Sequence, residues 1–526
     1  MTRQMLRNIK TPVTIARTTK PGGRPKYLFG ICITVAAAVF LIVQLSHHVM
    51  WRDELRPWPL ATSSRTLFDL FQNLHYEGHP GLWHLLLWLA SSISPNIVTI
   101  KVVDALIGIA IFAMIGVVSP FSRLEKVLLL LNYFVIFEFT VISRNYGIAL
   151  LLALIYAQLR AAFTDRTYII AITLGLLANT NVFGTILSIA FAIEYLIDQL
   201  MNHRNDLTSS AVRIGPPALL YLLLLALAVA TMAPAADISW KIPGIPFSHP
   251  SSLSAIKTII LSYLEFPLLP PLRLLKPVSE NATFFSQVAN IPVLAFFILW
   301  VGVIYTFRND RDLLLMIGLT ALGSVAFGYA VYLGSMRHWS INFIAVLAAL
   351  WIQRIRRPHK SVLVLIFLLV GAVTGIGASA QVWYHYPFSN SAAAATWLTD
   401  QNLEDAALVG TYDDQAAAVA MQLGRPMYYL DCSCSGTYLK YTSSRDLFDD
   451  SQIPDRLAMA VSQIKKRPIV FVVTHQLSDR ERNAIAQRQL NVIPLAQFVG
   501  SQRHEDFWLY QVDQLSVIMT LPNSLP

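Results

Sequence analysis

Residues 27–46, "YLFGICITVAAAVFLIVQLS", carry no charge, and they run directly into "HHVMWRDELRPWPLA" (47–61), where Arg52, Asp53 and Glu54 stand together. A bilayer core about 30 Å thick is crossed by about twenty helical residues. The first stretch has that length and composition, so the Asp-Glu pair falls at the lip of a membrane. Residues 1–26 hold Arg3, Arg7, Lys10, Arg17, Lys20, Arg24 and Lys26 and no acid. The apolar run ends without the small residues of a cleavage site. It is therefore predicted to be an uncleaved anchor whose basic N-terminus, 1–26, is cytoplasmic.

The rest of the chain fits that start. Of its 526 residues 55% are hydrophobic and 13% charged, against about 25% charged in an ordinary soluble domain. The mean hydropathy is +0.52. Further apolar runs at 97–118, 127–143, 147–163, 168–183, 184–200, 214–233, 290–307, 313–333, 339–353 and 361–381 bring the expected crossings to eleven. With 1–26 inside, every second loop is short and basic, including 203–213 and 354–360, as cytoplasmic loops should be. The net charge of +9 is thereby distributed along the membrane, which excludes a nucleic-acid reading. One run, "GLWHLLLWLASSI" (81–93), is too short to cross, and counting it would invert every later loop. It is placed in the interface within a first outer loop, 47–96.

After the helical part, 27–384, the composition turns polar. Residues 385–526 read as a soluble α/β domain on the periplasmic or extracellular side. "AALVG", "PIVFVVTH" and "FWLYQV" are its expected strands, and "DDQAAAVAMQL", "PDRLAMAVSQIKK" and "DRERNAIAQRQ" its helices. No glycine-rich phosphate loop follows any of these strands. The three cysteines, Cys32, Cys432 and Cys434, make no disulfide framework, and C-x-C alone is a weak metal signal. The fold class expected is an α-helical polytopic membrane protein with a C-terminal α/β domain.

Polar residues gather at the predicted outer ends of separate helices. Asp53 and Glu54 follow the first crossing, and Glu77 and His79 lie in "YEGHP" (76–80). Arg144, Asn145 and Tyr146 lie in "SRNYG" (143–147), and Arg337 and His338 in "MRHWS" (336–340). Singly, each has a plain explanation: a charge at a helix end reaches water, and arginine snorkels. Together they suit glycosyl transfer from a lipid-phosphate sugar. Arginine presents a planar fork to phosphate oxygens, and a carboxylate takes the proton of an attacking hydroxyl. Asp53, Glu77 and His79 are alternatively a set for a divalent metal, although their spacing is not that of a tight ligand set.

The anchor, the outward Asp-Glu, the loop closing in "GHP", the apolar interfacial segment and the trailing outer domain resemble the GT-C glycosyltransferases. Within these the chain is similar to the bacterial branch akin to protein O-mannosyltransferases and the aminoarabinose transferase of lipid A. The resemblance covers roughly residues 27–200. It implies an inner (plasma) membrane enzyme that moves a sugar, with inversion, from a polyprenyl-phosphate-linked donor to a hydroxyl of a glycan, lipid or protein. It places Asp53 at the acceptor with Glu54 beside it as catalytic acids. His79 and Pro80 fall on the closing loop, often "HPP" in the family, where this chain has Gly81 as the following residue. Many relatives carry a second acid where this chain has Arg144, Asn145 and Tyr146, and there donor phosphate binding by Arg144, Arg337 and His338 is expected instead. The rival readings are a lipid or sugar-lipid translocator without covalent chemistry and a non-catalytic scaffold. No internal repeat of the transporter kind is visible.

Overall fold

A computed structural model describes residues 24–202, 207–238, 291–331, 336–359, 361–384, 387–443, 445 and 448–515. Residues 1–23 of the expected basic N-terminus and most of the expected outer segment 234–289 lie outside these residues.

The chain is a mostly helical polytopic membrane protein with an α/β domain behind it. Among the described residues six helices contain spans long and apolar enough to cross a membrane: Tyr27–His47, Thr99–Val118, Val182–Met201, Val212–Met232, Arg311–Ala330 and Val362–Ala380. Their outward faces are greasy. On the first helix, Leu28, Ile31, Val35, Val39 and Ile42 are all exposed, one stripe at helical spacing. Such a stripe is costly in water and costs nothing in lipid. Shorter apolar helices, Leu82–Ser91, Tyr146–Ala162 and Thr167–Ala178, pack among them.

Two of the expected crossings look different in three dimensions. The run 127–143 is not one helix. Arg123–Leu130 ends at a turn, a single π-helical turn follows at Phe134–Glu138, and irregular backbone leads to Asn145. Asn132 makes the break by accepting the Phe134 N–H at 3.1 Å. Gly371 and Gly375 let the helix Val362–Tyr384 press against it, for a Cβ there would collide with the Asn132 side chain and the Leu131 carbonyl. The whole stretch Tyr133–Ser143 is buried, so apolarity here serves protein packing and not lipid contact. The tenth run forms helix Ile341–Arg356, in which every residue from Ile341 to Arg354 is buried. It is the axis of the bundle. At one end of the bundle, buried arginines are paired: Arg354 with Glu125 at 2.6 Å, and Arg160 with Glu194 at 2.7 Å. Arg160 terminates the helix whose other end carries Tyr146.

The α/β domain holds six strands: β1 (Ala407–Gly410), β2 (Met427–Tyr429), β3 (Cys434–Gly436), β4 (Ile469–Val473), β5 (Leu490–Phe498) and β6 (Phe507–Gln514). Their order is β3-β2-β1-β4-β6-β5, with β2, β1 and β4 parallel and the others antiparallel to their neighbours. The faces alternate as a pleat requires. Leu408, Val470 and Val472 pack with helix Asp413–Leu423, while Val409, Ile469, Phe471 and Val473 pack with helix Ile453–Gln463. The short β2 and β3 and the polar β5 escape a reading by hydrophobic runs. Cys432 and Cys434 are joined in a disulfide, where the C-x-C spacing alone gave no such pairing.

This domain is seated on the first loop. Met50, Leu55, Trp58 and Trp83 share one apolar core with Ala416–Met421 and Leu408. The short apolar segment forms helix Leu82–Ser91, pinned across the loop by Trp88 Nε1 donating to the Ser64 carbonyl at 2.9 Å.

Candidate active site

The site forms where the first helix stops. Lys101 donates to the carbonyls of Leu45 and His48 at 2.8 and 2.6 Å, closing the helix Arg24–His47 with a cation where its dipole is negative. A single helical turn, Arg52–Leu55, begins after Trp51. It sends its two acids to opposite fates.

Glu54 goes inward and is fully buried. Its carboxylate meets His48 Nε2 at 2.9 Å and accepts the backbone N–H groups of Ser143 at 2.7 Å and Trp51 at 3.3 Å. Every one of these bonds is internal, so Glu54 ties the turn to the "SRNYG" loop. Asp53 turns the other way and keeps 30% of its side chain exposed. Its Oδ2 lies 2.6 Å from Arg144 Nη1 and 2.9 Å from Arg337 Nη2. Burial raises the Asp53 carboxyl, but Arg144, Arg337 and Arg52 outweigh it and hold the group well below the usual carboxylate range.

Three segments far apart in sequence therefore meet at one carboxylate. Tyr146, beside Arg144, stacks on Phe139 with ring centroids 6.3 Å apart and meets the His338 ring edge-on at 6.0 Å. Phe183 closes on His338 at 4.9 Å. Asn145 is buried at the head of helix Tyr146–Ala162. Burial first, then Arg337 and Arg144, push the His338 imidazole well below its ordinary range. The loop "YEGHP" turns at Gly78, whose φ of 66° suits glycine. It delivers His79 with a buried Nδ1 that has no hydrogen-bond partner among the described residues. Burial, with Arg144 and His84 adding to it, pushes His79 down to about 3. Burial and the two guanidinium groups thus both disfavour the charged form of each imidazole.

Glu77 belongs elsewhere. It pairs with Arg56 at 2.6 Å, and Arg56 lies 4.0 Å over the Tyr441 ring of the α/β domain. The three residues of the alternative metal set, Asp53, Glu77 and His79, are not a converging group here, and Asp53 and Glu77 pair with different arginines. Among the described residues, the group able to converge on one ion is a different one, Asp450, His475 and Glu481.

The α/β domain supplies residues the sequence did not reveal. Glu505, from a loop 453 positions away, accepts the Arg52 backbone N–H at 3.0 Å. Arg503 lies 4.7 Å over the Trp51 ring, and Arg337 covers the same ring at 5.3 Å. Arg52 reaches Asp414 at 3.7 Å. Burial pushes the Glu505 carboxyl up to about 8, against Ser389 and Arg52, which pull it down. Its unfolded value is near 4.5, so between these pH values the folded state binds the extra proton. This term stabilises the fold at low pH and is lost as pH rises towards 8. Thermal unfolding of the purified protein should show a downward slope of Tm with pH in that window. Glu505→Gln should flatten the slope, and an unchanged slope would assign it to other groups.

No family model and no curated protein matches this chain. Among solved structures the chain is similar to the crystal structure of ArnT from Cupriavidus metallidurans bound to undecaprenyl phosphate. The TM-score is 0.47 at 14% identity, covering 91% of this chain and 97% of that one.

Proposed function

We propose that this protein is a membrane glycosyltransferase that moves a sugar from a polyprenyl-phosphate-linked donor to a hydroxyl acceptor. The observation that carries the reading is the meeting of Arg144 and Arg337 on Asp53, at the mouth of an apolar bundle and beneath a soluble domain. Two guanidinium groups gathered just past the end of the first apolar span suit a lipid whose phosphate lies at headgroup level, and arginine is the residue suited to it. Glycosyl transfer makes that phosphate the leaving group. The acceptor oxygen bonds to the anomeric carbon as the carbon–oxygen bond to phosphate breaks. Arg144 and Arg337 take up the charge that develops on the phosphate, and the acceptor proton passes to a base.

Asp53 fills that role only once the arginines let go. While both hold it, its affinity for a proton is too low for effective base catalysis. A bound phosphate competes for the same two guanidinium groups, and Asp53 regains basicity as they turn to the phosphate. The anion thus prepares its own base. Neutral His79 and His338 stand by as hydrogen-bonding groups for the sugar or the phosphate, with Asn145 and Tyr146 completing the wall. Attack from the side opposite the leaving group inverts the anomeric centre.

We place the site on the outer face of the inner membrane, with the N-terminus cytoplasmic. The basic loops support this orientation, and so does the Cys432–Cys434 disulfide, which suits an oxidising compartment. The test compares the surface glycans and glycolipids of cells with and without the gene. One sugar should disappear from the surface while its polyprenyl-phosphate carrier accumulates. Unchanged glycans, with the carrier lipid only redistributed between leaflets, would instead favour a translocator.

A further inference from the structure

The α/β domain contains a cluster that the transferase reading does not use. The connection from β1 through helix Asp413–Leu423 to β2 lies on one face of the sheet. Helix Ile453–Gln463, which leads into β4, lies on the other. The strand order therefore reverses between β1 and β4. In open parallel sheets the crevice beyond the carboxyl ends of the strands at such a point is where ligands bind. Here Tyr412 follows β1, and His475 follows β4.

We propose that Asp450, His475 and Glu481 form a divalent-cation site in this crevice, taking a borderline ion such as Zn²⁺ or Mn²⁺. One ligand atom from each residue lies within 4.8 Å of the others. His475 Nε2 and Glu481 Oε1 are 2.9 Å apart. Ligands around a tetrahedral ion at the usual bond lengths stand roughly 3.3 Å from one another, so a small inward movement of Asp450 completes the set.

The charges around the cluster independently ask for a cation. Among the described residues neither Asp450 nor Glu481 is paired with a lysine or arginine. The nearby Arg445 is committed to Asp413 through two bonds of 2.6 and 2.5 Å. A third carboxylate, Asp431 at the end of β2, is 5% exposed, and its buried Oδ2 has no hydrogen-bond partner. Burial and neighbouring Asp413 push it up to about 7.

Tyr412 ties these groups together. Its hydroxyl donates to Asp450, its ring meets His475 edge-on at 5.9 Å, and Asp450, Asp431 and Glu481 all act on it electrostatically. Two carboxylates beside one imidazole, neither paired with a lysine or arginine among the described residues, gain from an ion that supplies positive charge. One nitrogen and two oxygen donors favour zinc or manganese over magnesium or calcium, which prefer all-oxygen shells.

The α/β domain rests on the Arg52–Leu55 turn, so a filled site would stiffen a body that touches Trp51 and Arg52. Binding itself is the test. Untagged full-length protein in detergent is dialysed against Zn²⁺, and bound metal is counted. The wild type should take up one saturable equivalent that excess Mg²⁺ does not displace. His475→Ala and Asp450→Asn should each weaken it by ~10-fold or more, since even the loss of an outer-shell partner costs that much. Asp450 is exposed, so Asp450→Asn keeps the fold and reads the site alone. Absence of saturable uptake by the wild type, or uptake undiminished in Asp450→Asn, would overturn the proposal.

Discussion

Asp53→Asn is expected to lower transfer by about 10²–10⁴-fold while binding the polyprenyl phosphate more tightly than the wild type does. The two effects have one cause. In the free protein the Asp53 carboxylate occupies both Arg144 and Arg337. An incoming phosphate has to take those guanidinium groups from it. Each charge-assisted hydrogen bond surrendered is worth about 1.5–3 kcal/mol, less where Asp53 meets solvent. Asparagine competes weakly, so donor affinity should rise by roughly tenfold. It also removes the base. A purely structural role for Asp53 predicts the reverse on the binding side, because two unneutralised arginines would loosen the site. Titration of a polyprenyl phosphate into both proteins separates the two accounts, provided turnover is measured on the same samples.

Arg337→Ala should be the most damaging change to donor use. Removing one member of a desolvated charge pair costs about 2–5 kcal/mol, or ~30-fold to several thousand-fold in affinity. The loss should appear in KM and kcat together. Arg337 would bind the ground-state phosphate and also the charge that grows on it as the bond breaks. Arg337→Lys should recover only part of the loss, since lysine keeps the charge and lacks the planar fork. The double change Asp53→Asn with Arg337→Ala should cost less binding than Arg337→Ala alone, because the two side chains touch and their effects do not add. Strictly additive losses would mean that Asp53 and Arg337 act on separate things.

The convergence of the site was legible because membranes constrain a chain so heavily. Once the anchor and the basic loops were threaded, "WRDE", "SRNYG" and "MRHWS" had to lie on the same side, and the structure brings Asp53, Arg144 and Arg337 together. Which of two adjacent acids meets Arg144 and Arg337 was not legible. Asp53 and Glu54 differ by about 100° of helical turn, and only the packing against His48 and Ser143 decides that Glu54 turns in. The run 127–143 looked like a crossing because apolarity reads the same against lipid as against protein. Asn132 and the acid Glu138 were its local signs of a break. Glu505, Arg503 and the seat on Trp51 were invisible for a different reason: a contact across 453 residues leaves no periodic trace. The short strands β2 and β3 are three residues each, below the length at which alternation shows.

A structure of the protein with a polyprenyl phosphate bound tests the central claim most directly. The account predicts phosphate oxygens within ion-pairing distance of both Arg144 and Arg337, with the Asp53 carboxylate released from them and facing the acceptor side. A phosphate held elsewhere, with Asp53 still clasped between the two arginines, would contradict it.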